Sequence, residues 1–218
     1  YEISCSLVGS EMCIRDRDVH NMEKPWEFDD FIFDGDVLKG MTRKGKDKIK
    51  NEELFDMVVP TEGPDGTKIR VIGEQCFFRR KLNSVVIPET VEEIQYEAFG
   101  VNNLTEVEIP DSVKKIGAYA FYRNKLTDVK LPEEVEFIGD NAFSLNQIGE
   151  IDFPDTVEFI GVSAFYKNNL TEVNLPKNIK EIDMYAFRKN NIHEVQVPAG
   201  MEKLDNRAFE ENTVVKEA

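Results

Sequence analysis

Two histidines, three cysteines and 42 carboxylates are the groups in this 218-residue chain that could carry acid–base, nucleophilic or metal chemistry. They form no catalytic constellation. His20 and His193 lie in unrelated segments, and no nucleophile stands beside either at a useful spacing. Cys5, Cys13 and Cys76 make neither a metal-binding spacing nor a disulfide framework. No glycine-rich loop is present to cradle a phosphate. Asp29, Asp30, Asp34 and Asp36 crowd one segment without the alternate-position spacing and distal Glu of an EF-hand, so they read as solvated edge charges. The expectation is a non-enzymatic chain with no cofactor and no metal site.

What the carboxylates do form is a column. After Ser84 come Glu106, Asp128, Glu150, Glu172 and Glu194, each just before the valine or isoleucine of a short strand. At a strand spacing of ~4.8 Å, neighbouring carboxylates in water repel by about 0.9 kcal/mol before screening. A fold tolerates that, and a basic partner or divalent cation would relieve it; the bland alternative is a solvated acidic face. The next exposed column, Val86, Glu108, Lys130, Asp152, Asn174 and Gln196, is mixed, which argues against a uniform ion-binding strip. The candidate partner-binding face is therefore Glu106, Asp128, Glu150, Glu172 and Glu194 with Glu108, Lys130 and Asp152. A further column, Arg79, Arg123, Lys167 and Lys189 with Tyr122 and Tyr166 beside it, reads as a solvated rim or a second recognition surface.

The elements that position these columns follow from one repeated phrase. Prolines recur at Pro88, Pro110, Pro132, Pro154, Pro176 and Pro198, a step of 22 residues. The same step links Cys76-Phe77 to Ala98-Phe99 and onward to Ala208-Phe209, and it links Asn102, Asn124, Asn146, Asn168 and Asn190. A strict period of this size means stacked supersecondary units. In Leu126–Leu131, Val129 and Leu131 alternate with Asp128 and Lys130, so a short strand buries one pair and exposes the other. Stacked coils would pair such strands into a parallel sheet along one face, and Pro132 would end the strand. The return path carries apolar Val135, Ile138, Ala142 and Phe143, with Gly139 at a tight turn and Gly139–Phe143 too short for more than a single helical turn. The asparagines read as an internal ladder bonded to backbone of their own and the next coil, a ligand role being the alternative. Cys76 fills an alanine slot and reads as a small buried hydrophobe.

Written as N-x-L-x-x-V-x-L-P-x-x-V-x-x-I-G-x-x-A-F, the unit resembles the BspA-like leucine-rich repeat family over about residues 54–217. Arg80 departs from it in an asparagine slot, and Gln95, Asp183 and Asp205 depart in the glycine slot. The resemblance implies an α/β leucine-rich repeat solenoid and a cell-surface or secreted adhesin that binds protein, such as extracellular matrix or cell-surface proteins. The alternatives are an intracellular scaffold and the targeting part of a larger enzyme.

Alternating apolar residues around Asp34-Gly35 predict a β-hairpin, which the resemblance places as an N-terminal cap. Residues 26–65 then form the cap and a first incomplete coil, and 66–218 the repeat array. Leu54, Met57 and Val59-Pro60 repeat the strand signature, Thr61–Gly66 is an insertion, and Arg43–Lys50 reads as an exposed basic loop. Residues 6–17 resemble a translated sequencing adapter, so residues 1–25 read as artefactual or disordered. The chain stops where another strand would begin, which reads as truncation. A net charge of −15 disfavours nucleic acid and anionic membrane surfaces, and no apolar run is long enough for a transmembrane helix.

Overall fold

The computed structural model describes residues 26–52, 55–211 and 213–217. Strands β1 (Phe31–Asp34) and β2 (Val37–Met41) form the expected antiparallel hairpin, turning through Gly35, whose φ of 59° is left-handed. Val37 and Leu38 then pair in parallel with Val71 and Ile72 of the first return path, so the hairpin closes one end of the stack. From there two-residue strands follow at Glu93–Ile94, Lys115–Ile116, Phe137–Ile138, Phe159–Ile160, Glu181–Ile182 and Lys203–Leu204, and with the hairpin and Val71–Ile72 they form one nine-stranded sheet. This long ladder lies on the return path. The path that carries the L-x-x-L-x-L signature pairs in parallel at Asp56–Val58 with Ser84–Val86, at Glu106–Glu108 with Asp128–Lys130 and at Glu194–Val197 with Val214–Glu217, and by a single bridge between Asp152 and Asn174. Asp56 and Ser84 are 28 residues apart where regular neighbours are 22 apart, because the Thr61–Gly66 insertion lies between them.

The core between the two paths is a set of columns. Phe77, Phe99, Phe121, Phe143, Phe165, Phe187 and Phe209 stack ring on ring, with consecutive centroids 5.2–5.5 Å apart and planes within 13° of parallel. Val129, Leu131, Val135, Ile138 and Ala142 are buried as the alternation requires, and Asp128 and Lys130 are exposed. Burial pushes the Cys76 thiol well above its ordinary range, the behaviour of an inert core group.

The glycine slot has a different cause from the one its sequence suggests. The left-handed residue of that turn is Asn141, two positions later, as are Gln75, Glu97, Tyr119, Ser163 and Tyr185 in other coils. Gly139 is small because a Cβ there would stand 2.7 Å from the Ala118 backbone nitrogen of the preceding coil. The turn is closed by i→i+3 bonds, Ala142 N–H to Gly139 O and Ser144 N–H to Asn141 O, both 3.2 Å.

Arg43–Glu52 is a helix, α1, where an exposed loop was expected. Thr42 caps it, its Oγ1 accepting from Gly45 N–H at 3.3 Å. Lys48 folds inward to the carboxylate of Asp30, which is fully buried rather than a solvated edge charge. Lys44 Nζ donates to Glu27 at 2.6 Å, an ion pair that holds the Glu27 carboxyl below its usual range. Gly45 is required for this docking, since a Cβ would fall 2.3 Å from the Asp30 carbonyl oxygen.

Candidate binding faces and the ladders beneath them

The asparagine slot is bonded at every polar atom. Asn124 Oδ1 accepts from Leu104 N–H at 3.2 Å, and its Nδ2 donates to the carbonyls of Phe99 and Phe121, both at 3.0 Å. Asn102, Asn146, Asn168 and Asn190 repeat the arrangement with their own residues. The bonds reach the asparagine's own coil and the preceding one, not the next. Each amide thus ties two coils together and supplies donors to carbonyls that the turn would otherwise bury unpaired. This assigns the slot to the scaffold.

The acidic column is built differently. Glu106, Asp128, Glu150, Glu172 and Glu194 are all exposed, as are Glu108, Lys130 and Asp152 beside them. Glu106 pairs with Asp128 in register across adjacent coils, which stacks their side chains on one side of the strands. Among the described residues the column's ion pairs reduce to Glu194 with Lys216, at 2.7 Å at its far end. Lys130 is drawn to Glu108 at 3.3 Å in the neighbouring column, and that hydrogen bond raises the Lys130 pKa. Below the column Ser84 donates to Asp56 at 2.6 Å, so Asp56 extends the acidic row one coil toward the hairpin. The insertion hid Asp56 from a strict period; its place before Met57 in the first strand signature was the available signal.

On the opposite path the acids are mostly matched. Glu92 pairs with Arg70, Glu93 with Lys115 at 3.5 Å, Glu158 with Lys180 at 2.6 Å and Glu181 with Lys203 at 3.8 Å, each bridge running between neighbouring coils. Phe137 and Phe159 stack there at 4.7 Å, half-buried on the outer side of the sheet.

No group of metal-ligating side chains exists among the described residues, and none of their helices is long and apolar enough to cross a membrane. His193 is exposed beside the acidic column and far along the chain from any candidate nucleophile; His20 and Leu54 fall outside the described residues.

The family model of the BspA type leucine rich repeat region matches this chain in six copies, over residues 64–171 and 94–216. Among curated proteins no sequence matches. Similar solved structures include a leucine rich cell surface protein from Faecalibacterium prausnitzii, with 19% identity over 79% of this chain and 62% of that one at a TM-score of 0.42. A leucine-rich repeat protein from Bacteroides ovatus is 16% identical over 86% of this chain and 64% of that one at a TM-score of 0.46. The leucine-rich repeat protein of T. pallidum is 20% identical over 89% and 86% at a TM-score of 0.48. The chain thus spans less than two thirds of the length of the first two.

Proposed function

From the premise that this chain belongs to the BspA type leucine-rich repeat family, we propose that it is a non-catalytic adhesion module of the cell surface that binds protein through its strand face. The repeat architecture supports the coarser part of this reading, a protein-interaction module. Solenoids present one extended face along which each coil offers the same positions to a partner. The observation that carries the finer part is the exposed acidic column, whose Glu106, Asp128, Glu150 and Glu172 form no ion pair among the described residues. An extended protein segment bearing lysines or arginines would relieve the stacked repulsion and gain charge-assisted bonds. Glu108, Lys130 and Asp152 flank the column and would set the register of such a partner.

The test is surface plasmon resonance of this chain against a panel of purified extracellular-matrix and cell-surface proteins. A hit should weaken at least about tenfold on combining Asp128→Lys with Glu150→Lys, mainly through slower association and lost salt dependence. A partner whose affinity is unchanged by that double substitution would sink the strand-face assignment.

A further inference from the structure

Just ahead of the acidic column in every coil lies a strip with the opposite character. Residues 78–83, 100–105, 122–127, 144–149, 166–171 and 188–193 contain no Asp or Glu, in a chain where 42 of 218 residues are acidic. The same positions supply Arg79, Lys81, Arg123, Lys125, Lys167 and Lys189, all exposed and none in a salt bridge among the described residues. Backbone bonds from Arg79 N–H to Gly100 O, Arg123 N–H to Ser144 O and Lys167 N–H to Arg188 O, each 2.9–3.0 Å, stack these turns coil upon coil. The acid-free run is therefore one continuous edge of the solenoid.

Its pattern has a period of two coils. Arg79, Arg123 and Lys167 follow Phe78, Tyr122 and Tyr166, while the coils between carry Gly100-Val101 and Ser144-Leu145. A Cβ on Gly100 would stand 3.2 Å from the Phe78 ring, so the small residue is what lets the large one lie flat along the edge. The Arg79 guanidinium lies 5.1 Å from the Phe78 ring centre and that of Arg123 5.9 Å from Tyr122. Two strand spacings place successive ring–cation units about 10 Å apart.

We infer that this edge binds a linear anionic polysaccharide. Cations at that interval suit a polymer whose anionic groups repeat with each disaccharide, and the rings offer faces on which pyranose C–H surfaces pack. Amides and hydroxyls lie between them at Asn103, Thr105, Thr127, Gln147 and Asn169, four of these exposed and Asn103 half-buried, as recognition of sugar hydroxyls requires. An acidic amphipathic helix fits less well, because the strip's leucine and isoleucine side chains at 82, 104, 126, 148, 170 and 192 are buried and leave no apolar groove. At physiological salt the Debye length is about 8 Å, so the net negative charge of distant faces is largely screened at the edge.

The experiment is titration calorimetry of the whole chain at physiological salt with chondroitin sulfate, polyglutamate and duplex DNA as separate probes. Chondroitin sulfate should bind, and more tightly than the other two. The triple variant Arg79→Ser, Arg123→Ser, Lys167→Ser should lose at least about tenfold in affinity. A control of equal charge change on other faces, Lys114→Ser, Lys177→Ser, Lys180→Ser, should stay within about twofold. All six positions are exposed, and circular dichroism of both variants checks that they fold. No binding to chondroitin sulfate, an equal loss in the control, or binding of polyglutamate or DNA as tight as the polysaccharide overturns the inference.

Discussion

Two columns of this solenoid share the same 22-residue period and opposite fates. The asparagines from Asn102 to Asn190 stand inside, each amide held by backbone of two coils, and four of the five are more than nine-tenths buried. The acids from Glu106 to Glu194 stand outside, and among the described residues only the last meets a cation, Lys216. Repetition in sequence therefore does not mark a function by itself. A repeated polar residue whose partners all lie within the chain is scaffold, whereas one that finds none is free to meet another molecule. The difference lies in the residue's position relative to the strand: the acids alternate with buried valines, while the asparagines precede the strand, where turn carbonyls need donors.

The sharpest way to break this comparison is to remove one inner amide. Asn124→Ala strands the Leu104 N–H in a buried site and takes one of two amide donors from each of the Phe99 and Phe121 carbonyls, which keep Asn102 and Asn146, a total cost of about 4 kcal/mol. Urea denaturation should show it, with the loss spreading to neighbouring coils because a solenoid is held by nearest-neighbour interfaces. A change below about 1 kcal/mol would mean that water replaces the amide and that the column is not structural. Next in size is Gly45→Ala. Its Cβ meets the Asp30 backbone at 2.3 Å, so α1 must lift from the hairpin at about 3 kcal/mol. The signature is hydrogen exchange that rises in residues 27–50 while the central coils stay protected. Asn190→Ala should cost about 1–2 kcal/mol, since Asn190 is only half-buried and water can reach part of its site.

Much of this scaffold was legible in the residues. The period gave the coil, the alternation around Val129 gave inside and outside, and Asp34-Gly35 gave the hairpin. The helix was not legible, because Arg43–Glu52 offers only Ile49 as a buried apolar side chain and its inner face is completed by Gly45 and Lys48 meeting Asp30 across the chain. Nor was the long sheet on the return path, since strands of two residues such as Phe137–Ile138 are too short to show alternation. Their pairing comes from the pitch of the stack. Gly139 misled for a related reason: its smallness answers a neighbouring coil, a contact that no window of local sequence contains. For the acidic face, exposure could be read from alternation, but the identity of a partner is not encoded in a column of identical charges.

The outer column should respond in the opposite direction from the inner one. Asp128→Asn removes a charge that has acids on both sides and no cation on its own column, so stability should hold or rise, within about 0.5 kcal/mol. Added salt should stabilise the parent more than the variant, because screening acts on the same repulsion. A clear loss of stability on Asp128→Asn would show an intramolecular partner and return the acidic column to the scaffold.

The smallest expected effect concerns an acid that does have a partner. Asp155 accepts from Lys177 Nζ at 2.7 Å and from the Lys177 backbone at 3.2 Å, and these bonds hold its carboxyl below the usual 3.8. A carboxyl depressed in the folded state contributes stability that is fully present above its unfolded value and fades as pH falls through the folded one. The contribution should therefore be intact above pH 4 and disappear in more acidic solution, and Asp155→Asn should remove this part of the pH dependence. The site is exposed, so the shift in melting temperature should be slight. Thermal melts of parent and variant at neutral pH and again below pH 3.8 measure it. The gap between them should narrow in acid, and a gap that widens would mean that Asp155 does not draw its stability from Lys177.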